Sequence, residues 1–206
     1  LTFTRPRMAL LAVFIAFAGS LFLFAPRGLL PRWMVLFCML PMLNYSSSKP
    51  RLLNVTFIDV GQGLAVLLET PKQVILYDAG PAFAGGFDAG ETIVTPFLRS
   101  RGITAIDHLI ASHPDLDHAG GIDAVASRFL VGRRYASEAG HEVLSCATGF
   151  QWREGELKFH LLSTGEQVKS NNMSCIVVIT GGGFSVLLTG DIEQSAEWRL
   201  VGELQG

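Results

Sequence analysis

The sequence predicts a mixed α/β domain, with strands and helices in layers, standing behind one or two membrane-crossing helices. Three observations predict it. Residues 1–51 hold six basic side chains (Arg5, Arg7, Arg27, Arg32, Lys49, Arg51) and no Asp or Glu, leaving ten basic against eighteen acidic groups in residues 52–206. The 206 residues are 49% hydrophobic and 17% charged, with a mean hydropathy of +0.37, too apolar for an ordinary soluble domain. At about residue 50 the pattern changes from long apolar runs to short β-branched runs punctuated by glycine. The same figures exclude a disordered chain, a collagen-like repeat and a basic protein that coats nucleic acid.

Residues 8–24 carry no charge, and as a helix they reach roughly 25 Å, close to the apolar thickness of a bilayer. Arginines flank both ends, so the charge pattern does not orient the segment. A second apolar run, 33–43, contains Pro41 and is marginal for spanning. A signal or anchor segment and buried core helices are the rival readings. Residues 44–52 read as a polar linker, Ser-rich and broken by Pro50. Leu1 in place of Met reads as a fragment of something longer.

From residue 53 the chain reads as a folded domain. Runs 53–60, 64–69 and 74–78 have strand character. Residues 92–101 have helical spacing, with Gly102 as a stop. A buried strand is expected over 106–111 and a second helix over 122–130. Strands follow at 157–162, 174–180 and 184–189, the last two joined by Gly181, Gly182 and Gly183 in a tight hairpin. A final helix begins near Ser195.

The chemistry concentrates in residues 112–121, SHPDLDHAGG, between an apolar strand and a helix. His113, Asp115, Asp117 and His118 fall within six residues. On an extended loop, positions 113, 115 and 117 project to one side while His118 points elsewhere. Two carboxylates and two imidazoles so close conflict unless a divalent cation holds them deprotonated. The plainer reading is a solvated acidic turn with helix-capping aspartates. Asp191 follows another apolar strand and Gly190; it suits either a bridging carboxylate or a helix cap.

HPDLDH resembles the HxHxDH motif of the metallo-β-lactamase fold, with Asp115 where the second His usually stands. The ordered set VTFIDVGQG (55–63), LYDAGP (76–81), FDAGE (87–91), SHPDLDHAGG, NNMSC (171–175) and LLTGDIE (187–193) resembles the C-terminal domain of the ComEC-type DNA-internalisation competence proteins. The resemblance runs from about residue 53 to 197, and the upstream apolar segments fit the end of a membrane domain.

The resemblance implies an α/β (α+β) metallo-β-lactamase-like αββα sandwich, incomplete at its C-terminus. It implies two divalent metal ions: His113 and Asp115 at the first, Asp117 and His118 at the second, Asp191 bridging, with Asp117, His118 and Asp191 as the catalytic set. Asp115 in place of His hardens the first site and favours Mn²⁺, with Mg²⁺ or Zn²⁺ as alternatives. The implied reaction is phosphodiester hydrolysis, with DNA as partner and the non-imported strand as substrate. Implied too are a membrane, the remaining channel domain and other competence proteins as partners. The implied location is the bacterial inner (cytoplasmic) membrane, multi-pass, with the soluble domain on the periplasmic or extracellular side.

That compartment makes a Cys146–Cys175 disulfide plausible, whereas Cys38 reads as a small apolar residue. Two departures stand out: no further HxxG ligand is visible, His141 and His160 lacking that context, and no His-containing loop follows the TGD segment. The fragment alone is therefore expected to be inactive. Asn171, Asn172 and Ser174 either orient water or substrate or form a polar turn. Arg99, Arg101, Arg128, Arg133 and Arg134 are open to a reading as a nucleic-acid track or as ordinary surface arginines. A small-ester or lactone hydrolase, or a non-catalytic DNA-positioning domain, remains the alternative function.

Overall fold

The computed structural model describes residues 17–19, 50, 52–164 and 171–205. The chain divides into two compact units, Leu1–Ser48 and Lys49–Gly206. In the first only 17–19 is described, as a helical turn. The remainder of the two expected membrane segments, Cys38 and most of the linker lie outside the described residues. Among the described residues no helix is long and apolar enough to cross a membrane.

The second unit is built on two sheets. The first contains β1 (Asn54–Phe57), β2 (Val66–Glu69), β3 (Val74–Tyr77), β4 (Ala105–Ile110), β5 (Leu130–Ala136) and β6 (Val143–Ser145), side by side in that order. The β1–β2 and β2–β3 pairs are antiparallel, and β3–β4, β4–β5 and β5–β6 are parallel. Helical crossovers carry the first two parallel steps: a π-helical turn Gly90–Val94 running into α1 (Thr95–Ser100), then α2 (Leu116–Ala119) and α3 (Ile122–Arg128). The second sheet is antiparallel, ordered β10 (Phe184–Leu188), β9 (Ile176–Gly181), β8 (Leu157–Leu162), β7 (Phe150–Glu154). α4 (Gln194–Gln205) follows.

The layering explains the sequence pattern. β2 reads Val66-Leu67-Leu68 without a polar break because both its faces are covered. Val66 and Leu68 enter the core between the sheets, with Ile75, Tyr77, Phe159, Leu161 and Val177. Leu67 faces the other way, to Leu76, Val94, Leu98 and Val125 beneath the helices. Leu200 of α4 covers Leu162 and Ile176 on the outside of the second sheet. Helices, sheet, sheet and helix are therefore stacked in four layers, and truncating Leu67 or Leu161 to Ala would cost about 2–5 kcal/mol.

Cys146 is joined to Cys175, with Cα atoms 5.6 Å apart. The bond ties the end of the first sheet to the segment that enters β9.

Three strands were not expected: β5, β6 and β7. The expected helix 122–130 ends at Arg128, and Leu130 already belongs to β5. The expected helix 92–101 begins as a π-turn and becomes α-helical at Thr95, stopping at Gly102, whose φ is +75. Ser174 and Cys175 precede β9 and do not begin it.

Candidate metal centre

Three of the groups of interest follow the C-terminal ends of strands, where layered α/β proteins gather their sites, and Asp117 and His118 lie on the short α2. Asp78 follows β3, His113 follows β4, and Asp191 follows β10. Asp78 is fully buried with φ of +58, a left-handed conformation that Asp tolerates better than most residues. Its Oδ1 accepts the Ser112 backbone N–H at 2.7 Å, and its Oδ2 accepts the Ser112 hydroxyl at 2.7 Å. His118 Nδ1 lies 2.9 Å from the same Oδ2. A carboxylate beside Nδ1 fixes the proton there and leaves the Nε2 lone pair free.

That Nε2 meets carboxylates. Asp191 Oδ2 lies 3.3 Å from it and Asp117 Oδ2 3.9 Å. His113 joins from beside it, the two imidazole centroids 4.3 Å apart. His113 Nδ1 lies 2.9 Å from Ser112 Oγ and 3.5 Å from Ser174 Oγ, and its Nε2 lies 3.6 Å from Asp115 Oδ2. Ligand atoms of His113, Asp117 and His118 all fall within 4.8 Å of one another. Asp115 occupies the position before α2 yet makes no side-chain capping bond to it. The entry to α4 is held by Asn172, whose Oδ1 accepts the Glu193 N–H at 2.7 Å. Neither aspartate is needed as a helix cap.

Close backbone approaches bring these groups together. The Leu64 N–H donates to the Asp117 carbonyl at 3.2 Å. At Gly63 (φ +116) a Cβ would stand 1.9 Å from that carbonyl oxygen, and at Gly190 (φ +60) it would stand 2.8 Å from Ser174 Oγ. Only glycine lets those segments pass so near.

The electrostatics of the two imidazoles diverge. Burial acts to lower the His118 pKa, but the hydrogen bond and charge of Asp78, with the charges of Asp191 and Asp117, raise it above the ordinary value. For His113 burial dominates, followed by the like charge of His118, and the pKa falls despite Asp78, Asp115 and Asp191. The half-exposed carboxylates of Asp115 and Asp191 therefore face two buried imidazoles, His113 held towards its neutral form and His118 towards its protonated one. That donor set fits a hard or borderline divalent ion.

A profile described as Metallo-beta-lactamase superfamily matches residues 58–205. The chain belongs to that superfamily. Membership implies divalent-metal binding and a metal-dependent hydrolase fold. The chain is 31% identical to Competence protein ComA of Neisseria gonorrhoeae, over 93% of its length and 28% of that protein. It is 36% identical to Recombination protein 2 of Haemophilus influenzae, over 79% of this chain and 21% of that protein. These relatives support a ComEC-type competence protein, and the chain spans about a quarter of their length. Among solved structures, a Cronobacter sakazakii metallo-beta-lactamase with a HARLDQ motif superposes with a TM-score of 0.51 at 20% identity. It covers 77% of this chain and 68% of that one, and shares the fold.

Other expected site residues take different places in the metallo-beta-lactamase domain. Asn172 is fully buried; its amide is taken up by Glu193 and Ser195, and its carbonyl by Thr164 Oγ1. It positions the chain after Asp191. Ser174 Oγ donates to the Asn171 carbonyl at 2.6 Å while staying near His113. His141 and His160 stand outside the His113–Asp117–His118 cluster; His160 is on β8, opposite Gln151 and Val178. Of the five arginines open to a nucleic-acid track, three are engaged: Arg101 pairs with Glu69, Arg128 with Glu91, and Arg133 lies over the Phe150 ring.

The sequence reading overlooked Asp78 and Ser112 as site residues. Their signal was present, since Asp78 directly closes an apolar strand much as Asp191 closes another after Gly190, and Ser112 is next to His113.

Proposed function

We propose that this chain is the metal-dependent phosphodiesterase domain of a DNA-uptake protein, held at the bacterial inner membrane and acting on the non-imported DNA strand. The observation that carries the reading is the His118 ring, pinned at Nδ1 by Asp78 and facing Asp191 at 3.3 Å from Nε2. The competence names of its relatives support DNA as the substrate.

His113, Asp115, Asp117, His118 and Asp191 would hold two divalent ions, Mn²⁺ by preference because carboxylate outnumbers imidazole in the set. When bound, the ions supply Lewis acidity at the phosphoryl oxygens and a water acidic enough to react near neutral pH. The chain's own residues provide the rest. Asp78 holds the His118 ring and its Nδ1 proton, Ser112 fills the remaining acceptor sites of Asp78, and Asn172 sets the loop that presents Asp191. The domain faces the periplasm, where the Cys146–Cys175 bond suits an oxidising compartment.

The test is cleavage of end-labelled DNA by the full-length protein carrying this domain, with Mn²⁺, Mg²⁺ or Zn²⁺ added after chelation. Mn²⁺-dependent cleavage lost in Asp117→Ala and His118→Ala is the expected result. Cleavage of small esters with DNA left intact would instead mark another hydrolase of the same fold. DNA binding without turnover in any metal would mark a positioning domain.

A further inference from the structure

Two phenylalanines stand in solvent on the loop that follows Asp78, outside the hydrophobic cores. Phe83 is 51% exposed and Phe87 43%. Their ring centroids are 6.3 Å apart and their planes differ by 24°. The turn between them is set by the backbone: the Phe83 N–H donates to the Phe87 carbonyl at 2.8 Å, Ala82 pairs with Asp88, and Gly85 and Gly86 take φ of +135 and +112. The rings are therefore presented by a fixed loop and are not needed to hold it.

The loop is fastened to the helix that carries the candidate ligands. Ala79 N–H donates to the His118 carbonyl at 3.0 Å, and Gly121 N–H to the Gly80 carbonyl at 3.0 Å. The point a Gly120 Cβ would occupy is 2.3 Å from both Ala82 N and the Leu116 carbonyl oxygen, so those two backbones lie side by side. Leu116, between Asp115 and Asp117, is itself 61% exposed. Three exposed apolar side chains are thus carried on two backbone segments that are bonded to each other, one of which, α2, also carries Asp117 and His118.

We propose that Phe83 and Phe87 form a stacking platform for the bases of a single-stranded nucleic acid whose phosphate enters the metal centre. The inference rests on the phosphodiesterase reading and adds to it how the strand is held. A ligand joining a flat apolar face to a phosphate matches aromatic rings joined to a cation site. Residues 52–206 carry eight more acidic than basic groups, and Arg101, Arg128 and Arg133 are engaged with Glu69, Glu91 and Phe150. Long-range attraction therefore contributes little to affinity, whereas stacking works without charge and tolerates any base. The same acidic surface disfavours an anionic lipid. A duplex hides its base faces within its own stack, so the platform selects a single strand.

The experiment is fluorescence anisotropy on the full-length protein in Mn²⁺, using labelled oligothymidylate with a cleavage-resistant backbone and an abasic strand of equal length. The double variant Phe83→Ala/Phe87→Ala should bind oligothymidylate about tenfold or more weakly and the abasic strand unchanged. Phe83→Trp/Phe87→Trp should retain the wild-type preference for bases, and calorimetric Mn²⁺ titration should be the same for all three proteins. Equal affinity of wild type and double Ala variant for oligothymidylate overturns the platform and leaves the phosphodiesterase reading standing. So does an equal loss on both strands. A wild-type protein that binds neither strand overturns the reading and the platform together.

Discussion

The Asp78 carboxylate and the His118 imidazole meet at 2.9 Å, both buried, across forty residues of sequence. Asp78 also receives two bonds from Ser112, so the three groups form one closed unit. The ring of His118 can turn only if that unit breaks. Its Nε2 is thereby aimed before any ion arrives, and the entropy of orienting a ligand is spent in folding.

Asp78→Asn tests that statement. The amide keeps the volume but replaces one acceptor with a donor, which then faces the donors of Ser112 or His118. Metal affinity should fall about 10- to 100-fold, measured by calorimetric Mn²⁺ titration, with the far-ultraviolet circular dichroism unchanged. An affinity equal to that of wild type would show that His118 needs no such support.

Chelation should lower thermal stability. Asp115, Asp117 and Asp191 surround two imidazoles, and a cation that binds only the folded state stabilises it. At a free concentration one hundred times its Kd the gain is about 2.7 kcal/mol, or roughly 5–10 °C for a domain of this size. Differential scanning calorimetry after EDTA, then after stepwise Mn²⁺, should recover that shift. Asp191→Ala should blunt the recovery.

The ligand loop could be read from the sequence because four chelating side chains in six residues have little other use next to a buried strand. Asp191 could be read because a lone carboxylate closes an apolar run. Asp78 satisfies the same rule, but its role becomes visible only when His118, forty positions on, is seen to point at it. β5 was hidden because Gly132, Arg133 and Arg134 interrupt it and among its residues only Tyr135 is buried. β7 was hidden at a sheet edge, although Phe150 and Trp152 inward against Gln151 and Arg153 outward is a period of two. The helix caps first weighed for the aspartates were excluded by geometry that no local pattern carries.

His108 should set an acid limit on the fold. It lies on β4 in the core between the sheets, stacked on Trp152 with centroids 4.4 Å apart, and its Nδ1 has no hydrogen-bond partner among the described residues. Burial, with a smaller push from Arg133 and against Asp107, lowers its pKa to about 4. The unfolded chain binds the proton near 6.5, so stability is complete above that pH and is lost as pH falls from 6.5 towards 4. The loss amounts to about 3 kcal/mol at most. Urea midpoints at pH 7.5 and pH 5 should differ for wild type and differ less for His108→Phe.

Reduction of Cys146–Cys175 should loosen the site as well as the fold. The bond closes a span of 29 residues, worth roughly 3–4 kcal/mol of restricted unfolded-state freedom. Cys175 also gives its N–H to the Ser112 carbonyl at 2.7 Å and takes the Tyr77 hydroxyl at 2.7 Å. Cys146→Ala/Cys175→Ala should lower the urea midpoint and speed hydrogen exchange at Ser112 and its neighbours. A change confined to β6 would separate the disulfide from the metal centre.

Gly63→Ala should damage metal binding without removing a ligand. The new Cβ would fall 1.9 Å from the Asp117 carbonyl oxygen at a φ of +116, and a backbone oxygen cannot swing aside as a side chain does. Either the 61–63 loop retreats, breaking the Leu64 N–H bond to Asp117, or α2 shifts and carries Asp117 and His118 with it. Both routes cost more than about 2 kcal/mol. Gly61 supplies the control: its φ is also positive, at +78, but a Cβ there meets nothing within 4 Å. Gly61→Ala should therefore cost only about 1–2 kcal/mol of backbone strain and leave the Mn²⁺ isotherm as it is. If the two variants bind metal alike, the close approach of Gly63 to Asp117 is a packing detail; if only Gly63→Ala loses affinity, the loop between β1 and β2 is part of what holds the ligands in place.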